Sequence, residues 1–147
     1  LVATGELRPV DGTPFDFRTA KPLGRDVDAD DTQLRYGGGY DHNFALGAPG
    51  TMRRAAVLYA PDSGIRMTVS TDLPGVQLYT ANSLSACRCA YGTTYERRGA
   101  VCLETQYFPN SPACPQFPSV VLKKGARWTH TTIYQFGTEK EKFETSM

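Results

Sequence analysis

Apolar and polar positions alternate with period two along much of this chain, in runs that are short and repeatedly interrupted. Alternation over about four to eight residues marks a half-buried β-strand, whereas a helix repeats its apolar positions about every 3.6 residues. Residues 54–59 and 65–71 are two such runs, joined by the turn sequence Ala60-Pro61-Asp62-Ser63-Gly64. Together they predict a β-hairpin. After Leu73-Pro74-Gly75 comes Val76-Gln77-Leu78-Tyr79-Thr80, with Gln77 and Tyr79 on one face and Val76 and Leu78 on the other. A further strand is predicted over Val101 to Gln106, with Val101, Leu103 and Thr105 facing one way and Cys102, Glu104 and Gln106 the other. Phe108-Pro109 stops it, because proline has no ladder donor. The last strand region, 120–136, is interrupted at Lys123-Lys124-Gly125-Ala126 and predicts a second hairpin.

Between these runs the chain reads as connection. Residues up to about 35 carry the turn signals Thr4-Gly5-Glu6 and Asp11-Gly12-Thr13-Pro14, with Phe15-Asp16-Phe17 as a short extended piece. Residues 82–99 are polar and irregular, as in a long surface loop, and 137–147 form a charged tail expected to fray. Helical periodicity is nearly absent. Many short strands punctuated by glycine and proline point to an all-β fold, a sandwich or a barrel, in one domain.

Composition narrows the function classes. The formal net charge of +1 over 147 residues gives no reason to expect nucleic acid or an anionic membrane as partner. No apolar run approaches the roughly 20 residues of a membrane helix. Leu1 to Leu7 does not read as a signal peptide, and the missing initiator methionine fits either processing or a start inside a longer protein. Four cysteines, Cys87, Cys89, Cys102 and Cys114, are expected to be reduced thiols in a cytoplasmic protein. The Cys87-x-Cys89 spacing is tighter than that of structural zinc sites, so no metal is expected.

The candidate chemistry is sparse. Glu104 lies near the middle of a strand whose opposite face is apolar. It reads either as a carboxylate looking at water or as a general base lining a cleft, with Gln106 beside it. Asp41 follows Gly37-Gly38-Gly39 and reads either as a turn residue or as a ligand contact. In an extended chain His42 faces away from it, so the two do not meet one ligand. Gln77 with Tyr79 suits a sugar or polyol, since an amide offers two donors and an acceptor; an ordinary exposed strand face reads the same way. Asp26, Asp28, Asp30 and Asp31 lack the glycine and closing glutamate of a calcium loop and read as a solvated loop.

Five ordered pieces carry a resemblance. They are Pro9-Val10-Asp11-Gly12-Thr13-Pro14-Phe15-Asp16, Gly39-Tyr40-Asp41-His42-Asn43-Phe44, Pro74-Gly75-Val76-Gln77-Leu78-Tyr79-Thr80, Cys102-Leu103-Glu104-Thr105-Gln106 and Phe117-Pro118-Ser119. In order and spacing, from about Thr4 to Phe136, they resemble the aldose 1-epimerases (galactose mutarotases), specifically the C-terminal half of the fold. The resemblance implies an antiparallel β-sandwich of the galactose mutarotase supersandwich type over 1–136, followed by the tail at 137–147. It implies Glu104 as catalytic base and Asp41 and Gln77 as residues that hydrogen-bond a hexose such as galactose or glucose. No metal or organic cofactor is implied.

The same resemblance implies what is absent. The family's general-acid histidine, a second active-site histidine and a sugar-binding arginine precede the matched region, so the N-terminal half of the fold is an expected partner. Neither His42 nor His130 occupies a matching position. Base without acid leaves a second reading open, a non-catalytic carbohydrate-binding module. A third, an epimerase of sugar phosphates, would need a basic cluster, for which Arg88, Arg97 and Arg98 are the candidates. Tyr79, Tyr107 and Phe108 are expected to shield Glu104 from water.

Overall fold

A computed structural model describes residues 2–138. Eight strands are present: β1 (Asp41–Ala45), β2 (Arg53–Ala60), β3 (Ile65–Thr71), β4 (Gly75–Tyr79), β5 (Cys87–Arg88), β6 (Thr94–Tyr95), β7 (Cys102–Gln106) and β8 (Thr132–Gly137). They form a three-stranded sheet in the order β1-β4-β7, a second in the order β2-β3-β8, and the short pair β5-β6. The fold is β-rich, as the alternation predicts. Among the described residues no helix is long and apolar enough to cross a membrane.

The chain forms two compact units. One comprises Arg8–Asn43 and Gln77–Glu104. Its buried apolar residues are Val27, Leu34, Tyr40, Leu78 and Ala81. Its one α-helix, α1 (Thr32–Gly37), is capped by Asp31, whose carboxylate accepts from the amides of Gln33 (2.7 Å) and Leu34 (3.4 Å). Gly38, at φ +65°, ends it. The acidic stretch before the helix is therefore not simply solvated. Lys21 and Arg25 pair with Asp26, Arg35 with Asp30, and Arg98 with Asp28 through both carboxylate oxygens. Those neighbours hold the Asp26 and Asp28 carboxyls below the usual carboxylate range.

The other unit comprises Val2–Leu7, Phe44–Val76 and the described residues from Thr105. Val69, Leu73, Val76, Phe108 and Cys114 are buried in it. The predicted hairpin is present: β2 and β3 pair antiparallel from Arg53↔Thr71 to Ala60↔Ile65, with a bulge between Arg54 and Ala56. Gly64, at φ +72°, closes the turn and returns its amide to the Ala60 carbonyl at 2.9 Å.

The predicted second hairpin is absent. Lys123 to Ala126 does turn, with the Ala126 amide on the Lys123 carbonyl at 3.0 Å, but residues 120–131 form no strand and are exposed. β8 pairs instead with β3, antiparallel from Thr71↔Thr132 to Arg66↔Gly137, and Val120 to Leu122 lie outside that sheet. A buried hydroxyl relay fixes this join: Thr132 Oγ1 lies 3.1 Å from Thr71 Oγ1 and 2.6 Å from Thr105 Oγ1. β8 extends one residue past the predicted end of the strand region, and of the tail the residues 139–147 lie outside the described residues.

Candidate active site

Asp41, Gln77 and Glu104 fall on β1, β4 and β7, three neighbouring strands with Gln77 on the central one. Asp41 owes its place to the two glycines before it. Gly38 and Gly39 take φ values of +65° and +141°, conformations that a side chain resists, and carry the chain from the end of α1 into β1. A Cβ at Gly39 would run into the amide of Asn82. Tyr40 comes next, fully buried and held at both ends. Its hydroxyl donates to the Pro14 carbonyl at 2.9 Å, and its own carbonyl accepts from the Thr80 amide, the Thr80 hydroxyl and the Asn82 side-chain amide. Burial pushes the Tyr40 phenol up to about 12.

With Tyr40 anchored, Asp41 meets Gln77. The Gln77 Nε2 donates to Asp41 Oδ1 at 2.7 Å. Asp41 is therefore a strand residue engaged with a neighbouring strand, not a turn residue bonding its own backbone. Along β4 the buried Val76 and Leu78 alternate with the half-buried Gln77 and Tyr79, so the amide stands on the more open face.

His42 packs against Phe15. Its ring stands edge-on to Phe15, centroids 4.7 Å apart, and its Nδ1 accepts the Asp41 amide at 3.0 Å. Burial lowers its pKa below the usual imidazole value, against the pull of the Asp41 and Asp31 carboxylates and a backbone hydrogen bond to Gln33. Packed on Phe15 and bonded through Nδ1 to the backbone, it is a packing histidine. His130 lies in the other unit, tilted against Trp128 with centroids 4.5 Å apart.

Glu104 is exposed at the centre of β7. Within its own unit the shielding expected from Tyr79 is not realised, and the Tyr79 hydroxyl lies 2.7 Å from that of Ser83. Tyr107 and Phe108, in the other unit, pack on Trp128 and Phe117. Two of the three arginines considered for a sugar phosphate are engaged within the protein. Arg97 donates to the Asn82 and Gly38 carbonyls, and Arg98 to Gly38 and Asp28, leaving exposed Arg88 on β5. These two arginines anchor the 82–99 segment, which carries the small β5-β6 ladder and is not wholly irregular. All four cysteines are free thiols, and among the described residues no three metal-ligating side chains converge.

The aldose 1-epimerase family model matches residues 1–135. The chain belongs to the aldose 1-epimerase family. It is 38% identical over 137 residues to galactose mutarotases from Sus scrofa and Homo sapiens, covering 92% of this chain and 39% of each relative. It is 35% identical over 136 residues to the aldose 1-epimerase of Escherichia coli K12, again 39% of that protein. Among solved structures it resembles a GalM/aldose epimerase homologue from C. elegans, with TM-score 0.74 and 25% identity over 92% of this chain and 40% of that one. The chain thus spans about two-fifths of the length of the aldose 1-epimerases it matches, rather less than the half implied by the sequence resemblance.

Sequence reasoning named Asp41, Gln77 and Glu104 but not what holds them. Asn82, against Gly39 and the Tyr40 carbonyl, and Lys21, whose Nζ donates to the Pro14 carbonyl, carry no periodic signal.

Proposed function

We propose that this chain is the base-bearing and sugar-binding part of an aldose 1-epimerase acting on hexoses such as galactose and glucose. The Asp41–Gln77 hydrogen bond carries the reading, because it pairs an acceptor and an amide on an open strand face beside the strand that bears Glu104. Neighbouring strands lie about 4.8 Å apart, so about 10 Å separates β1 from β7. A pyranose laid across β4 spans that distance with its hydroxyls. Asp41 keeps lone pairs for sugar O–H donors.

In the proposed reaction the Glu104 carboxylate takes the proton from the anomeric hydroxyl. The electron pair of that O–H bond closes the C1 carbonyl, the C1–ring-oxygen bond breaks, and an acid protonates the ring oxygen. Rotation about C1–C2 presents the other carbonyl face. Ring closure returns both protons, with acid and base exchanging jobs, so nothing is consumed. Exposure leaves the Glu104 carboxylate reachable by a sugar hydroxyl. The acid comes from outside this chain, from the N-terminal part of the fold, since His42 is packed on Phe15 with its Nδ1 bonded to the Asp41 amide. That same feature favours a second reading, a non-catalytic carbohydrate-binding module.

Polarimetry of freshly dissolved α-D-galactose, with this chain combined with the N-terminal part of the fold, separates the two. A rate above the spontaneous one, abolished by Glu104→Gln, supports the epimerase. Retained galactose affinity in both proteins with no acceleration supports the module.

A further inference from the structure

Lys21 is the least expected side chain in its unit. Its side chain is only 3% exposed, and a lysine side chain is seldom buried without a reason. Its Nζ donates to the Pro14 carbonyl at 2.5 Å, pairs with Asp26 at 2.8 Å and sits over the Phe17 ring, 4.4 Å from its centroid. The Pro14 carbonyl is the same one that accepts the Tyr40 hydroxyl, so both its lone pairs are used. Phe15, the next residue, stands edge-on to both Tyr40 (5.7 Å) and His42 (4.7 Å), and Phe17 to Tyr40 (5.2 Å). The residues on either side of Asp41 are thus gripped by one short stretch, and the charge at its back is Lys21.

We propose that Lys21 is a positioning residue. Through the shared Pro14 carbonyl it sets Tyr40, and through Tyr40 it sets the place from which the Asp41 carboxylate meets Gln77 and a hexose. The hexose half of this statement rests on the function proposed above; the bracing of the Asp41–Gln77 pair does not. Neutralising Lys21 leaves Asp26 its bond to Arg25 but frees one lone pair of Pro14 and loosens Phe15. An open-sided cavity of about 490 Å³, lined by Thr13, Pro14, Asp16 and Asp26 among others, adjoins Lys21, so the larger guanidinium of arginine fits and can restore both bonds.

The test is the side-chain amide of Gln77 in a two-dimensional nitrogen–proton spectrum, assigned by its loss in Gln77→Glu. Lys21→Met is expected to move that signal while the β2-β3-β8 amides stay in place, and Lys21→Arg is expected to return it. In a galactose titration, Lys21→Met is expected to weaken binding about tenfold, and where turnover is measurable to raise KM with kcat unchanged, as for lost ground-state binding. An unmoved Gln77 signal in folded Lys21→Met overturns the proposal. Should that variant not fold, Tyr40→Phe removes the other bond to Pro14, and an unmoved signal there overturns it equally. If the Gln77 signal responds but the parent chain binds no galactose, the brace stands and the hexose assignment fails.

Discussion

Two glycines separate conformational strain from steric conflict. Gly12 and Gly39 both have positive φ, +68° and +141°, but a Cβ at Gly12 meets nothing within 4 Å, whereas at Gly39 it meets the Asn82 amide. Asn82 cannot yield cheaply, being buried and bonded to both the Tyr40 carbonyl and the Thr80 hydroxyl. Gly12→Ala should therefore cost about 1 kcal/mol and Gly39→Ala about 2–4 kcal/mol in urea denaturation. Equal losses would mean that Asn82 moves aside. His42 gives a pH signature. The unfolded ring titrates near 6.5 and the folded one lower, chiefly through burial, so the unfolded chain binds the proton more tightly. Stability from the neutral ring is complete above about pH 6.5 and is lost as pH falls from there through the folded value. The urea midpoint should drop between about pH 7.5 and about pH 5.5 in the parent, and less in His42→Gln. Parallel drops would assign the effect to the carboxylates.

The elements differ in how openly they are written. β2 and β3 were legible because alternation, turn and partner all lie within Arg53–Thr71, so the pattern that makes each strand also dictates its neighbour. β8 was legible as a strand but not in its pairing: its partner β3 is about sixty residues away, and loop closure over that length leaves no local mark. α1 escaped notice because six residues are less than two turns, too few for a period of about 3.6 to appear. Its signal was the capping: Asp31 three residues before Leu34, and Gly37-Gly38 after. Asp31→Ala should cost about 1 kcal/mol by chemical denaturation, with Asp31→Asn much closer to the parent. A full effect in Asn would assign the loss to charge instead of capping. The candidate site was legible only as ordered motifs. Its support was not, since Lys21, Pro14 and Asn82 reach Tyr40, directly or through one another, from irregular segments in which nothing repeats.

At the level of the whole molecule, the apolar residues left uncovered are the informative ones. Val121 is 74% exposed, Leu122 59% and Phe136 68%, all within residues 120–136. Strand β8 stands at the end of its sheet order, and its sequence, Thr132-Ile133-Tyr134-Gln135-Phe136-Gly137, has none of the charges or prolines that blunt an edge strand. A chain spanning 39% of its relatives' length is expected to leave such surface for the remainder of the fold to cover. Alone in solution the chain should therefore self-associate, with its mass by light scattering rising above the monomer as concentration increases. Ile133→Lys combined with Leu122→Lys should return it to a monomer. Both side chains are exposed, at 50% and 59%, so the thermal midpoint should stay within about 2 °C of the parent. Lysines that abolish association and leave the midpoint in place assign it to this surface. A parent chain that remains monomeric throughout would mean that the edge and its apolar residues tolerate water, and the expectation of a missing covering part would lose its physical ground.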